Sequence, residues 1–400
     1  MSEGHPQPAP ERKDYQLLFV FDNLELSGAD KVALDVIRLT AGDRRHGINA
    51  RGFVCMADRT SQSSDNDDIV FANPRLDPAT SIWKKPLLGV RAVLRCVRAA
   101  RTADLIVGVT PPAAFVAACA GAISAKPAAA WVHYDIKGWA RELEAYPRGH
   151  IARLFEVLFY RYIVPQFRNI IFVSKAALAS MAGVRGTAPP RWASIPNPFL
   201  TRSFGEHVPD LSLLGKIKSD GSPLLVLLGR LTRQKRWRDA IRAFELTSPS
   251  GPAPHLVVIG DGNERSEFLD RVATSPSANR IHWMGPLANP GPALAMGDAL
   301  LLTSLYEAWP VVILEAFHAR VPVIAYDCPS GPAELLADGR GLCCPESPAA
   351  AAKAIETLLA MPSAERTKML DLAAGFLSRH NNDDVLAQWR EYAEMLVARP

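Results

Sequence analysis

The stretch YEAWPVVILEAF (Tyr306–Phe317) sets two carboxylates, Glu307 and Glu315, on either side of a Trp-Pro pair. Pro310 lacks a backbone donor and clashes with a preceding turn, so a continuous helix through both glutamates is unfavourable. The apolar run just before it, ALLLTS, reads as a buried strand ending near Ser304. A helix can then start at Pro310, because a missing N–H is harmless in the first helical position. The spacing therefore predicts a strand, a loop bearing Glu307, and a helix whose first amides, those of Val311, Val312 and Ile313, attract phosphate. Glu315 falls about one turn into that helix. Carboxylates accept hydrogen bonds from hydroxyl groups, so a sugar, a diphosphate and a ribose in line would fit this spacing. Two solvated surface glutamates would show the same spacing.

Working outward, the same alternation of apolar run and helical pattern fills the chain. Candidate strands are QLLFVFDN, ARGFVCM, DLIVGV, AAAWVHY and NIIFVS in the first half, then PLLVLLGR, HLVVIGDG, RIHWMG, ALLLTS and VPVIAYD in the second. Most are rich in Val, Ile and Leu with little polar alternation, as strands covered on both faces are. The fold class is α/β. Four hundred residues favour two domains. The expected boundaries are a disordered tail over 1–14, a first domain over 15–198, a proline- and glycine-bearing linker over 199–222, a second domain over 223–376, and a helical end over 377–400.

Net charge is only +4, but residues 1–198 carry 25 Lys/Arg against 18 Asp/Glu while 199–400 carry 20 against 23. No apolar run approaches the roughly 20 residues of a spanning helix. No nucleic-acid-reading motif is present and the second half is acidic, so no nucleic-acid partner is expected. The six cysteines show no paired metal-ligand spacing, and a reducing cytoplasm is the simplest setting.

In open α/β sheets ligands bind beyond the carboxyl ends of strands. The run LLGRLTRQKRWRDAIRAF places Gly229, Arg230 and Lys235 just there. Arginine forks onto phosphate oxygens and lysine supplies a point charge; Arg233, Arg236 and Arg238 read as a solvated basic loop. Other strand ends carry Gly260-Asp261-Gly262, which a plain turn explains equally well, and Gly28 at a helix start in LELSGADKVALDVI. His133, in WVHYD, also ends a strand. A lone histidine is often only a packing residue, but that position marks it as a candidate.

Taken together these residues resemble the retaining glycosyltransferases of family 4, which have the GT-B fold of two Rossmann-like domains facing across a cleft. The match runs through Glu307 and Glu315 in EAWPVVILEAF, PVIAYDCPSGPAELL after it, Arg230 and Lys235, SGADKV, His133, FVSKA and IPNP. The resemblance implies that Glu307 meets donor-sugar hydroxyls, Glu315 the ribose, Arg230 and Lys235 the diphosphate, Gly28 the phosphates, His133 the transferred sugar and Leu287 the base through its backbone. It implies C-terminal helices that cross back onto the first domain. It also implies transfer of a hexose from a nucleotide sugar, UDP-linked by preference, to a lipid-linked, lipopolysaccharide or polysaccharide acceptor, with retained configuration. No metal or other cofactor is expected, since Arg230 and Lys235 supply the charge. The family usually has Gly-Phe after its first glutamate, whereas this chain has Ala308 and Trp309, and it often has Gly-Gly-Ala-Glu where this chain has Ser27 to Asp30. An epimerase or phosphorylase of the same plan, or a non-catalytic nucleotide-sugar-binding protein, are the alternatives.

For the acceptor side, KKPLLGVRAVLRCVRAAR (84–101) has six basic and no acidic residues. As a helix it groups Arg91, Arg95 and Arg98 on one face and Val90, Val93, Leu94 and Val97 on another. That face would suit anionic lipid on the cytoplasmic side of an inner membrane, although an ordinary crossover helix shows the same pattern. IARLFEVLFYRYIVPQF (151–167) adds aromatic and basic groups.

Overall fold

The computed structural model describes residues 14–22, 28–41, 44–55, 68–72, 86–135, 167–186, 189–200 and 209–398. Nearly all of 151–167 lies outside them. Contacts divide the chain into two units: Met1–Val132 with Phe167–Ile171 and Asn382–Pro400, and His133–Gln166 with Phe172–Asn381.

The first sheet contains β1 (Tyr15–Phe21), β2 (Ile48–Val54), β3 (Ile69–Phe71), β4 (Leu105–Gly108), β5 (Ala128–Val132), β6 (Ile170–Phe172) and β7 (Trp192–Ser194), ordered β3-β2-β1-β4-β5-β6-β7. Leu17 of β1 sits opposite Ala50 of β2 on one side and Leu105 of β4 on the other, both parallel. Parallel neighbours need crossovers, and those described are α1 (Gly28–Thr40), α2 (Pro86–Ala99) and α3 (Pro111–Ser124), followed by α4 (Lys175–Arg185) after β6. Helices α2 and α3 cover one side of the sheet: Ala92 and Cys96 join Val116, Ala117 and Ala120 over Leu18, Val20 and Ile106. Small residues on both helices let them lie close to the strands.

The second sheet contains β8 (Leu224–Leu228), β9 (His255–Ile259), β10 (Ile281–Gly285), β11 (Ala299–Leu302), β12 (Val323–Tyr326) and β13 (Leu342–Cys344), ordered β10-β9-β8-β11-β12-β13 and parallel throughout. Its helices are α5 (Ser212–Ser219), α6 (Trp237–Leu246), α7 (Arg265–Ala273), α8 (Gly291–Ala295), α9 (Val311–His318), α10 (Gly331–Leu336), α11 (Pro348–Ala360) and α12 (Ser363–Arg379). The core joins Trp237 and Phe244 of α6 to Leu225, Val258 and Leu301 of the strands and Ile355 and Leu358 of α11. In this sheet the strand order reverses between β8 and β11, so the loops after these two neighbours open at the switch point where α/β sheets bind ligands.

Helix α13 (Asn382–Val397) belongs by its contacts to the first unit. Its fully buried Trp389 lies 5.3 Å from Phe19 and 4.8 Å from Trp131, ring centre to ring centre. Edge-to-face pairs of this kind add about 0.5–1.5 kcal/mol each beyond the area they bury.

Every strand expected from the apolar runs forms. Three more, β3, β7 and β13, are three-residue strands at the sheet edges, too short to leave a pattern. Residues Ser212–Ser219, inside the segment read as linker, form α5, with Leu214 and Ile217 buried.

Candidate functional site

The loops after β8 and β11 meet side by side. After β8 a single 3-10 turn, Arg233–Lys235, leads into α6. Thr303 Oγ1 donates to the carbonyls of Lys235 and Arg236 at 3.2 and 3.1 Å. Leu305 N donates to the Gln234 carbonyl at 2.7 Å, and Gln234 Nε2 to the Tyr306 carbonyl at 3.2 Å. Four bonds thus fix the basic turn against the loop that carries Glu307.

Within this clamp the Lys235 ammonium binds Glu307 Oε1. Ser304 Oγ, fully buried, donates to the same oxygen at 2.7 Å. Both donors fall on Oε1, and among the described residues none falls on Oε2. Glu307 is held at its backbone as well: its N–H donates to the Pro329 carbonyl at 3.3 Å and its carbonyl accepts from Gly331 N at 2.7 Å. The carboxylate is therefore buried, charge-paired and oriented, with one oxygen committed internally and one available to a hydroxyl donor.

Pro310 proves to be the residue that caps α9 from outside, in an extended conformation, so the helix begins at Val311 and not at the proline. The Ile313 amide donates to the Pro310 carbonyl at 2.9 Å, which removes Ile313 from the expected set of open donors. Val311 and Val312, half-buried, remain as the first-turn amides without intrahelical partners.

Gly229 lies beneath the Lys235 side chain: a Cβ there would come 3.7 Å from its Cε. Arg230 is exposed, with Nη2 3.5 Å from Gln234 Oε1. The Gly260 turn has a structural task. A Cβ at Gly260 would come within 1.9 Å of the Gly229 carbonyl, and its φ of +136° is one that L side chains rarely adopt. Its backbone supports the Gly229–Arg230 turn.

Glu315 is apart from this pairing. It lines a cavity of about 340 Å³ together with Asn289, Pro290, Phe199 and His318. Leu287, half-exposed, follows β10 two residues before Asn289. Gly28, exposed at the start of α1 in the first unit, has nothing among the described residues within 4 Å of where a Cβ would stand, so packing against them does not demand glycine there.

His133 is half-buried as a residue, and the protein around the ring is dense enough that burial lowers its pKa from 6.5 to about 3. It is a neutral imidazole at physiological pH. Two residues on, buried Asp135 accepts a 2.6 Å hydrogen bond from Ser330, whose backbone bridges Glu307. Ser330 holds φ at +79°, a costly conformation for a non-glycine residue. The residues following β5 are thus tied to the Glu307 loop.

The sequence reading missed Ser304, Ser330, Asp135 and Asn289. Ser304 had a signal, a hydroxyl closing an apolar strand three residues before the glutamate; the Asp135–Ser330 pair had none. Trp309 is a packing residue, its ring 5.5 Å from that of His380, and Ala308 is buried.

Comparisons with known proteins agree with this architecture. Residues 215–374 match the family described as Glycosyl transferases group 1. The chain superposes on the crystal structure of Anabaena Alr3699/HepE in complex with UDP and glucose with a TM-score of 0.72 at 20% identity, over 96% of this chain and 100% of that one; the fold is GT-B. It is 32% identical over 217 residues to an exopolysaccharide phosphotransferase, SCO2592, of Streptomyces coelicolor, covering 54% of this chain and 22% of that protein. It is 29% identical over 114 residues to the amylovoran biosynthesis glycosyltransferase AmsD of Erwinia amylovora, covering 28% and 32%. The chain thus spans about a third or less of the length of these curated relatives.

Proposed function

We propose that this chain is a retaining glycosyltransferase of family 4 that moves a hexose from a nucleotide sugar, a UDP-sugar by preference, to a lipid-linked or polysaccharide acceptor on the cytoplasmic side of a membrane. The observation that carries the reading is the divided carboxylate of Glu307, held on Oε1 by Lys235 and Ser304 and open on Oε2, at the switch point of a sheet within the matched glycosyltransferase region. The UDP bound by the Anabaena neighbour and the exopolysaccharide and amylovoran roles named for the two relatives favour this donor and acceptor class.

In this reading Oε2 of Glu307 accepts a donor-sugar hydroxyl, and Lys235 with Arg230 and the amides of Val311 and Val312 stabilises charge growing on the departing diphosphate. Glu315 and Asn289 hold the ribose in the cavity they share. His133, neutral, offers a hydrogen bond to the transferred sugar without adding charge. A carboxylate neutralised by an ammonium and a hydroxyl is a weak nucleophile, which favours front-face transfer, the leaving phosphate taking the acceptor's proton. Lysine and arginine at the diphosphate make a divalent cation unnecessary.

A thermal-shift panel of nucleotide sugars tests donor binding, because a bound ligand raises the melting temperature with its concentration over Kd. Proton NMR of the product anomer, with and without EDTA, tests retention and metal independence; an inverted anomer or a strict Mg²⁺ requirement rejects the corresponding claim. The name of the Streptomyces relative favours a second reading, transfer of a phosphate group, and ³¹P NMR of the glycan product separates the two.

A further inference from the structure

Helix α6 starts from a residue in an unfavourable conformation. Arg236, which follows Lys235 and caps the helix, holds φ at +44° and ψ at +42°. Left-handed backbone of this kind is the habit of glycine and costs other residues energy, so an arginine here needs compensation from its side chain. The sequence reads Arg236 as part of a solvated basic loop; it is instead half-buried and held at three points. Its Nη1 donates to Glu346 Oε2 at 2.9 Å, and its Nη2 pairs with Asp239 Oδ2 at 2.8 Å. Its guanidinium also lies over the ring of Tyr326, 5.2 Å from the centre, and the Tyr326 hydroxyl donates to the same Asp239 oxygen at 3.2 Å. One side chain thus ties the turn after β8 to the end of β12 and to the loop after β13.

Charge makes this side chain more than a brace. Lys235 and Arg236 are consecutive cations, and three carboxylates meet them: Lys235 binds Glu307, while Arg236 binds Glu346 and Asp239. Burial pushes the Cys328 thiol up, and the charges of Glu307, Glu346 and Lys235 all act on it as well. Glu346 therefore belongs to the same electrostatic neighbourhood as the Lys235–Glu307 pair. A carboxylate deprived of its guanidinium in such a partly buried setting is costly and draws on the cations that remain.

We propose that Arg236 is a positioning residue that partitions charge at the site: by holding Glu346 and Asp239 it keeps their carboxylates off Lys235, and so leaves the Lys235 ammonium to Glu307 and to a bound diphosphate. The diphosphate contact rests on the transfer reading, whereas the shielding of Lys235 rests on the geometry of Arg236. Glycine at this position would satisfy the backbone but supply no cation. Lysine would supply a charge without the planar fork that spans two carboxylates.

The test is a double-mutant cycle of Arg236→Gly and Glu346→Gln. Glycine relieves the left-handed strain as the ion pairs are lost, so the melting temperature is expected to change little; Arg236→Lys is the second variant should the glycine variant fail to fold. Arg236→Gly is expected to lower kcat/KM for the nucleotide sugar about tenfold, mainly through kcat, because Lys235 is diverted from charge that grows on the departing diphosphate. Arg236→Lys should retain part of the activity. Adding Glu346→Gln removes the competing carboxylate, and most of the activity lost in Arg236→Gly should return. A purely structural brace gives losses that add, and additive losses overturn the proposal. A readout without donor is the ¹³C-methyl NMR signal of reductively methylated Lys235, assigned through Lys235→Arg. It is expected to shift in Arg236→Gly and to return in the double variant. A signal unmoved by Arg236→Gly overturns the proposal. A signal that moves and returns in a protein that uses no nucleotide sugar supports the charge partition and rejects the transfer reading alone.

Discussion

Ser330 Oγ donates a 2.6 Å hydrogen bond to Asp135 Oδ2, joining residues 195 positions apart in the chain. Ser330 is also the residue whose backbone bridges Glu307. A side chain just beyond β5 therefore restrains the loop that presents the central carboxylate. Removing a hydrogen bond to a charged group costs about 1.5–3 kcal/mol. Ser330→Ala is expected to lower the melting temperature modestly and to reduce donor turnover more than donor affinity. Equal loss in Ser330→Ala and in a remote variant of matched stability would deny the loop a positioning role.

Ser304 and Lys235 share one oxygen of Glu307, and their loss should differ in kind. Lys235→Ala leaves a buried carboxylate without its cation, a change that costs about 3–5 kcal/mol of stability in comparable pairs, and under the proposed function it also removes a diphosphate contact. Ser304→Ala removes only a neutral donor. The expected outcome is a strong fall in donor binding for Lys235→Ala, measured by calorimetry, and a milder fall for Ser304→Ala with turnover affected more than binding.

Glycine positions separate packing from ligand approach. Gly260→Ala drives a methyl into the Gly229 carbonyl and should cost about 3 kcal/mol or more, the range of strained backbone and overpacking together. Gly28→Ala meets nothing among the described residues. It should leave the melting temperature unchanged while weakening nucleotide-sugar use, and normal kinetics in Gly28→Ala would remove Gly28 from the donor site.

Acid should destabilise the protein through its histidines. Burial lowers the His133 pKa to about 3, whereas in the unfolded chain it titrates near 6.5. Between these values the unfolded state holds the extra proton, so stability rises with pH across the window and is fully present above it. His255 and His282, lowered by burial and, respectively, by the charges of Arg280 and of His255, act in the same direction. Urea midpoints are expected to drop between neutral pH and about pH 5, and His133→Gln should flatten part of that drop.

Much of this was legible in the chain itself because its signals are local. Apolar runs such as PLLVLLGR and HLVVIGDG specify strands through their own composition, and proline at 310 breaks any helix joining Glu307 to Glu315. From those alone follow the two α/β halves, the strand-end positions of Arg230, Lys235 and Glu307, and the helix carrying Glu315. Tertiary structure decided the rest, since the deciding contacts join segments far apart in sequence. The apposition of β8 and β11 brings Lys235 onto Glu307 across 72 positions. The tie from Asp135 to Ser330, the cavity pairing Glu315 with Asn289, and the bond from Arg236 to Glu346 leave no periodic trace. A side chain's local pattern tells which face of its own element it occupies; only the packing of other elements determines what, if anything, that face meets.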